Sequence, residues 1–203
     1  NWFKKAVEAN LPANDDFRPM PENDVLKTVL GMVYTPAYYY HMSKGRKVYE
    51  DSRYPTFALK YERAFPLKGG RYLTSYHLIQ FSVKQEVNFG MFNRLFWMAE
   101  AGMLFDKKNV QFPDFKHFAS TDIPVTERSF DAGFNLMGNY ALSTNTRWTQ
   151  VNMSWYTPSL ILKRLPFLSD KFFDEGLHLR TIAIFKRKPY SELGYSIGLS
   201  TVG

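Results

Sequence analysis

Residues 79–89 read IQFSVKQEVNF, and this stretch decides the fold. Apolar side chains occupy alternate positions, interrupted only at Gln85: Ile79, Phe81, Val83, Val87 and Phe89. Polar side chains occupy the positions between them: Gln80, Ser82, Lys84, Glu86 and Asn88. Successive side chains of a β-strand point to opposite faces, whereas a helix returns to the same face after about 3.6 residues. The stretch therefore predicts a strand with one apolar face and one polar face.

The same alternation recurs along the chain. Residues 95–105 repeat it, and residues 90–93 between the two stretches fit a tight hairpin. Further alternating or β-branched stretches predict strands at residues 25–34, 56–63, 130–142, 147–156, 177–185 and 193–199. These make about eight antiparallel strands, and no helix of ordinary length is needed. We therefore expect an all-β protein.

The composition limits the classes to which the protein can belong. It has no cysteine, which excludes disulfides, thiolate metal sites and cysteine nucleophiles. No run of about 18 apolar residues is present, which excludes a membrane-spanning helix but not membrane-spanning strands. The net charge is +7, yet the basic residues are scattered, so we interpret them as solvated loops and expect no nucleic-acid partner.

The polar face of the strands indicates a membrane barrel. Long charged side chains predominate on water-exposed strands, but here the second face is rich in Gly, Ser, Asn and Gln, which suits a crowded lumen. The best alternating stretches are as long as the roughly 9–11 residues of a membrane strand. We predict an antiparallel transmembrane β-barrel, with the odd-numbered apolar set of residues 79–89 facing lipid and Lys84 and Glu86 facing the lumen. The alternative is a soluble barrel with inverted faces that binds an apolar ligand.

The densest group of polar residues lies in one loop: Asp114, Lys116, His117, Ser120 and Asp122. It contains the residue types of an acid, a base and a nucleophile, as a hydrolase site would. The preferred interpretation is an extracellular loop that folds into the lumen, where Asp114, Lys116 and His117 make lumen or loop contacts, as do Lys84 and Glu86. We predict that the protein is not an enzyme and has no catalytic residue, cofactor or metal site.

Three segments resemble a family of Gram-negative outer-membrane proteins. Residues 35–65, TPAYYYHMSKGRKVYEDSRYPTFALKYERAF, resemble its Thr-Pro strand end, basic loop and Tyr-Pro-Thr-Phe strand start. Residues 111–118, QFPDFKHF, resemble its Asp-Phe-Lys-His-Phe loop, and residues 160–199 resemble its closing section. The family has no known function and often follows a carboxypeptidase-regulatory-like domain. Its barrel is similar to the BamA-like surface-antigen superfamily.

The resemblance implies a location, a role and partners. It implies an integral protein of the bacterial outer membrane that contacts outer-membrane lipid and other outer-membrane or periplasmic proteins. The implied role is that of a subunit in outer-membrane protein assembly or transport. The alternative is a structural scaffold, in which the barrel anchors an appended domain at the cell surface.

The chain also departs from the family's pattern. After Phe118 the family continues with a Gly-Asn-Gln-Thr-like stretch, whereas residues 119–122 here read ASTD. We expect residues 1–24 to be a loop that leads into the barrel, and residues 25–203 to be the C-terminal part of a larger barrel whose last strands are missing. Because no signal segment precedes Asn1, we expect a removed targeting peptide or a longer protein.

Overall fold

The computed structural model describes residues 24–49, 52–67, 73–90, 92–120, 133–158, 160–164 and 173–199. The strands are β1 (Val25–Tyr34), β2 (Tyr40–Ser43), β3 (Arg46–Tyr49), β4 (Thr56–Pro66), β5 (Ser75–Phe89), β6 (Asn93–Lys108), β7 (Arg147–Thr157), β8 (Phe173–Ile184) and β9 (Tyr190–Leu199). Short 3-10 turns lie at Phe112–Asp114 and Leu162–Arg164. The predicted all-β class is confirmed. No helix in these ranges is long and apolar enough to cross a membrane.

Seven of the strands form one antiparallel sheet. Their order is β1-β4-β5-β6-β7-β8-β9, and β2 and β3 form a separate two-stranded hairpin. Each strand of the large sheet thus lies beside its successor, apart from the hairpin inserted between β1 and β4. Within the described residues the sheet is open, since β1 and β9 each pair with a single neighbour. Residues 1–23 of the expected leading loop lie outside the described residues.

Strand register assembles two continuous faces. Leu59, Phe81 and Ala101 are paired across β4, β5 and β6, and they lie on what we call the outer face. Gln80 and Gly102 are paired on the opposite side, which we call the inner face. The odd-numbered apolar residues of β5 therefore lie on the outer face, while Lys84 and Glu86 occupy inner-face positions. Segregation of the two faces follows directly from the period of two in the sequence.

The hydrophobic core lies on the inner face, near the ends of the strands that adjoin the β6–β7 connection. The described parts of this connection, residues 109–120 and 133–146, fold back over the sheet and contribute Phe118, Phe134 and Met137 to the core. The sheet contributes the remaining buried members: Ala64, Tyr76, Leu78, Leu104, Trp148, Ile182 and Ile184. The core therefore forms where the connection packs against the inner face of the sheet.

The strand predicted at residues 130–142 is wrong for the described residues 133–142. Phe134 makes an isolated bridge, and the residues after it form bends and turns. Phe134 and Met137 are buried, while Leu136 is 79% exposed. The backbone N–H groups of Asn135 and Leu136 donate to the Glu192 carboxylate and are not paired with a strand. Phe134 and Met137 therefore anchor a loop in the core, and the apolar alternation here does not mark a strand.

The basic loop expected after residue 36 contains the β2–β3 hairpin. Its two central residues, Lys44 and Gly45, have φ angles of 48° and 76°. Positive φ at both central positions is the requirement of a type I′ turn, and glycine meets it without steric cost. The turn therefore explains the hairpin that the sequence analysis did not predict. The tight hairpin predicted at residues 90–93 is confirmed, as β6 begins at Asn93.

Gly102 is required by close packing on the inner face. A Cβ at this position would lie 2.7 Å from Cη2 of Trp148 and 2.9 Å from the carbonyl oxygen of Ile79. We expect Gly102→Ala to destabilise the protein by about 1–3 kcal/mol, because the indole ring must shift within a packed core. Gly194→Ala is the matched control, since its nearest neighbour is His178 Cβ at 3.6 Å. Urea unfolding of both variants tests this, and equal losses would contradict it.

Candidate functional site

The candidate site is the polar inner face together with the connection that covers it. Sheet strands supply charged and amide side chains at inner-face positions, and the connection supplies their partners. A charge removed from water is costly unless it is paired. The partners of the buried charged groups therefore show what covers the inner face. Three groups of contacts fasten the connection to the sheet.

Glu100 on β6 is the centre of the first group. Its carboxylate accepts hydrogen bonds from Gln80 Nε2 at 2.8 Å and from Trp148 Nε1 at 3.0 Å. Lys116 of the connection places its Nζ 2.7 Å from Glu100 Oε1. The Lys116 and Glu100 side chains are only 20% and 10% exposed. One carboxylate therefore joins three strands of the sheet to the connection.

The second group lies toward β1. Asp114 of the connection is 9% exposed and forms an ion pair with Lys27 at 2.5 Å. Beside it, Tyr76 donates a hydrogen bond to Glu62 Oε1 at 2.7 Å, and Lys60 lies 2.8 Å from Glu62 Oε2. Charges of both signs therefore continue across β1 and β4, and the Tyr76 hydroxyl joins β5 to them.

The third group fastens the second half of the connection to β8 and β9. Arg180 donates to the carbonyl oxygen of Gly133 and, at 3.1 Å, to Asn135 Oδ1. Glu192 accepts hydrogen bonds from the backbone N–H groups of Asn135 at 2.9 Å and Leu136 at 3.0 Å. Arg180 and Glu192 are 4% and 7% exposed, so this clamp is shielded from water.

Weakening this clamp tests its role. We expect Glu192→Gln to destabilise the attachment of residues 133–137 by about 1 kcal/mol, since hydrogen bonds to a charged acceptor are roughly twice as strong as neutral ones. Limited proteolysis at residues 133–137 should become faster in the variant. Glu86→Gln, which changes an inner-face carboxylate outside the clamp, is the control. An unchanged cleavage rate in Glu192→Gln would show that the clamp does not hold the connection.

An open cleft of about 570 Å³ is lined by the clamp residues Arg180 and Glu192 and by neighbouring residues of β8 and β9. His178 lies at its wall, 4% exposed, with Nδ1 2.9 Å from Ser154 Oγ and Nε2 2.8 Å from Ser196 Oγ. Both ring nitrogens thus have hydroxyl partners. This arrangement holds the imidazole in place between β7 and β9.

The five contact residues predicted from the sequence fall into two groups. Asp114, Lys116 and His117 lie on the connection. Asp114 and Lys116 make the ion pairs described above, and His117 Nδ1 lies 2.8 Å from Ser143 Oγ. Lys84 and Glu86 lie further along β5 and line a different cleft, with Tyr38 and Tyr54. The structure therefore does not bring all five together.

The residues considered for a hydrolase site are bonded to other groups. His117 is bonded to Ser143, whereas Ser120 Oγ donates to Asn139 Oδ1 at 2.6 Å. Asp114 is paired with Lys27, and Asp122 lies outside the described residues. The described part of the connection therefore does not join His117 to Ser120 as base and nucleophile. In the same residues, no group of three or more His, Cys, Asp or Glu side chains could hold a metal ion.

Three strand residues that hold the connection were not predicted from the sequence: Glu100, Arg180 and Glu192. The sequence did contain a signal, because each of them is a charged residue at an inner-face position of an alternating strand. This pattern could show that their side chains share a face. It could not show their partners, because those come from a segment distant in sequence.

Comparisons with known proteins give one result. The family model described as the C-terminal domain of a family of unknown function, DUF5686, matches residues 1–197. No curated protein and no solved structure matches the chain.

Proposed function

The chain belongs to the C-terminal domain of the DUF5686 family, and from that premise we propose that it is the membrane-embedded β-barrel part of an outer-membrane protein. In this proposal the outer face contacts lipid and the inner face lines a lumen. The connection between β6 and β7 fills part of that lumen as a plug. The proposed role is that of a subunit in outer-membrane protein assembly or transport, with other outer-membrane or periplasmic proteins as partners.

The exposed apolar outer face carries the proposal. Large apolar side chains that are at least 36% exposed follow one another across the sheet: Leu59, Phe65, Ile79, Phe81, Phe105, Val151, Met153, Trp155, Leu177, Leu179, Leu193, Tyr195 and Ile197. A water-soluble protein rarely exposes a contiguous apolar patch of more than a few hundred Å². Lipid is the surrounding in which such a face is stable.

Strand length supports the same proposal. The seven strands of the large sheet have 10 to 16 residues. A tilted membrane strand needs about 9–11 residues, whereas strands in globular proteins have a mode near 5–6. Every strand of the sheet is therefore long enough to span the hydrocarbon layer.

The arrangement of the inner face supports a plugged lumen. Several of its charges are bonded to the connection, through Lys116 and Glu100, Asp114 and Lys27, and the Glu192 clamp. A solvated face would need no such matched partners. The same contacts favour the scaffold as a second candidate function, since a firmly plugged barrel can anchor an appended domain without conducting. Single-channel recording separates the two functions: a transport pore gives currents once the plug is released, whereas a scaffold stays silent.

The first experiment tests membrane insertion in the full-length protein. Cell envelopes are washed with carbonate at high pH, and the retained fraction is run on a gel with and without boiling. We expect retention in the membrane and a folded band that shifts on boiling, because closed barrels resist the detergent of the gel. Release into the soluble fraction without a shift would reject the proposal and favour a soluble barrel with an apolar ligand.

A further inference from the structure

A second cleft lies at the end of the sheet away from the β6–β7 connection. It consists of two adjoining cavities of about 140 and 700 Å³, which share Ser52, Glu86 and Asn88 in their walls. The walls come from the two segments that flank the β2–β3 hairpin and from the last residues of β5. Neither cavity contains a residue of the plug contacts described above.

The walls of this cleft are held in place by hydrogen bonds. Thr35 Oγ1 and Thr56 Oγ1 lie 2.9 Å apart, which joins the two segments where they leave β1 and enter β4. Ser52 Oγ donates to the carbonyl oxygen of Ala37 between the same segments. Gln85 Nε2 donates to the carbonyl oxygen of Arg53 at 2.7 Å, which attaches the second segment to β5. The cleft is thus formed before any ligand binds.

Three tyrosines present their rings in this cleft. Tyr38, Tyr39 and Tyr54 line its cavities and are 52%, 50% and 56% exposed. The Arg53 guanidinium lies 5.5 Å from the centre of the Tyr39 ring and holds that ring in place. A tyrosine ring combines an apolar surface with a polar tip, which suits a ligand that is apolar on one side and polar at its edge.

The polar groups among the tyrosines are of mixed kind. The Glu86 carboxylate can accept hydrogen bonds, the Lys84 ammonium can donate them, and the Asn88 amide can do both. An anionic ligand such as a phosphate would meet the Glu86 carboxylate, which lines both cavities. A purely apolar ligand would cover these groups without offering them partners, which is costly.

We propose that this cleft binds an oligosaccharide. A sugar ring has an apolar C–H face that stacks on an aromatic ring, and its hydroxyls both donate and accept hydrogen bonds. Tyr38, Tyr39 and Tyr54 supply the stacking surfaces, and Glu86 and Asn88 supply partners for the hydroxyls. Two adjoining cavities offer room for more than one sugar unit. The proposal rests on the geometry of the cleft and does not depend on where the sheet lies relative to a membrane.

Binding is measured with full-length protein in detergent solution by titration calorimetry. The probes are N-acetylglucosamine oligomers, as in a peptidoglycan strand, and neutral hexose oligomers, as in a surface polysaccharide. Saturable binding of either probe supports the proposal and identifies the source of the sugar. We expect Tyr54→Ala to weaken binding roughly tenfold, and Tyr54→Phe, which keeps the ring, to weaken it much less.

The matched control is Tyr34→Ala, because Tyr34 is 58% exposed but lies on β1 outside the cleft. We expect this variant to bind like the unaltered protein. A second cleft variant, Asn88→Ala, should weaken binding by removing a partner of the hydroxyls. The proposal is overturned if neither probe binds, if Tyr54→Ala binds as tightly as the unaltered protein, or if Tyr34→Ala loses binding equally.

Discussion

Phe81→Arg should lower the stability of the protein in lipid bilayers by about 2–4 kcal/mol, the cost of an arginine that faces lipid near the bilayer midplane. Phe81 lies near the middle of β5 on the outer face and is 47% exposed. In water, exchanging an exposed phenylalanine for arginine would cost little or would improve solubility. The sign of the effect therefore distinguishes lipid from water at the outer face.

The measurement is urea unfolding of the protein folded into lipid vesicles, followed by the heat-modifiable gel band. Leu136→Arg is the control, because Leu136 is an even more exposed apolar residue but lies on the connection. We expect it to change stability by less than about 0.5 kcal/mol, as for an ordinary surface substitution. Similar small effects of both substitutions would mean that water surrounds the outer face.

Glu100→Ala should destabilise the protein by roughly 2–4 kcal/mol, somewhat below the cost of breaking a fully buried ion pair because both side chains keep some exposure. The substitution leaves the Lys116 ammonium, the Trp148 indole N–H and the Gln80 amide without their acceptor. It also removes the contact that fastens the first half of the connection to β6. We therefore expect both a lower unfolding free energy and faster proteolysis of the connection.

The control for Glu100→Ala is Asp106→Asn. Asp106 lies 3.9 Å from Arg63, but its side chain is 67% exposed. Exposed ion pairs contribute about 0–1 kcal/mol, so this exchange should have little effect, and asparagine tolerates the positive φ of the position. If Glu100→Ala were as mild as Asp106→Asn, the inner-face ion pair would not hold the connection to the sheet.

These two predictions test opposite sides of one sheet. Phe81→Arg probes what surrounds the outer face, and Glu100→Ala probes what fills the space beside the inner face. A large loss of stability in Phe81→Arg together with a small loss in Glu100→Ala would describe a membrane sheet with a loosely held plug, which favours transport. Large effects of both, the result that we expect, would describe a firmly plugged barrel, in which transport would require release of the plug.

The alternation of apolar and polar residues was enough to predict the strands of the large sheet without the tertiary structure. Residues 79–89 and 95–105 could be recognised as strands because alternation is a local property, visible within one strand. The stretch at residues 133–142 shows the limit of this reasoning. Its apolar residues do not form one face of a strand, because Phe134 and Met137, three positions apart, pack in the core while Leu136 is exposed and Glu192 holds the backbone between them. Alternation in the sequence cannot by itself distinguish a strand from a loop with individual residues anchored in the core.

Sequence alone determined the class, the seven strands of the large sheet and which residues of each of these strands share a face, since these depend on neighbours along the chain. Only the tertiary structure decided which face is covered, because the covering segment is brought there by contacts between residues far apart in sequence. Lys27 and Asp114 illustrate this, as do Glu100 and Lys116, and Arg180 and Asn135. Each pair forms because a buried charge or hydrogen-bonding group needs a partner, and the identity of that partner depends on how the whole chain folds.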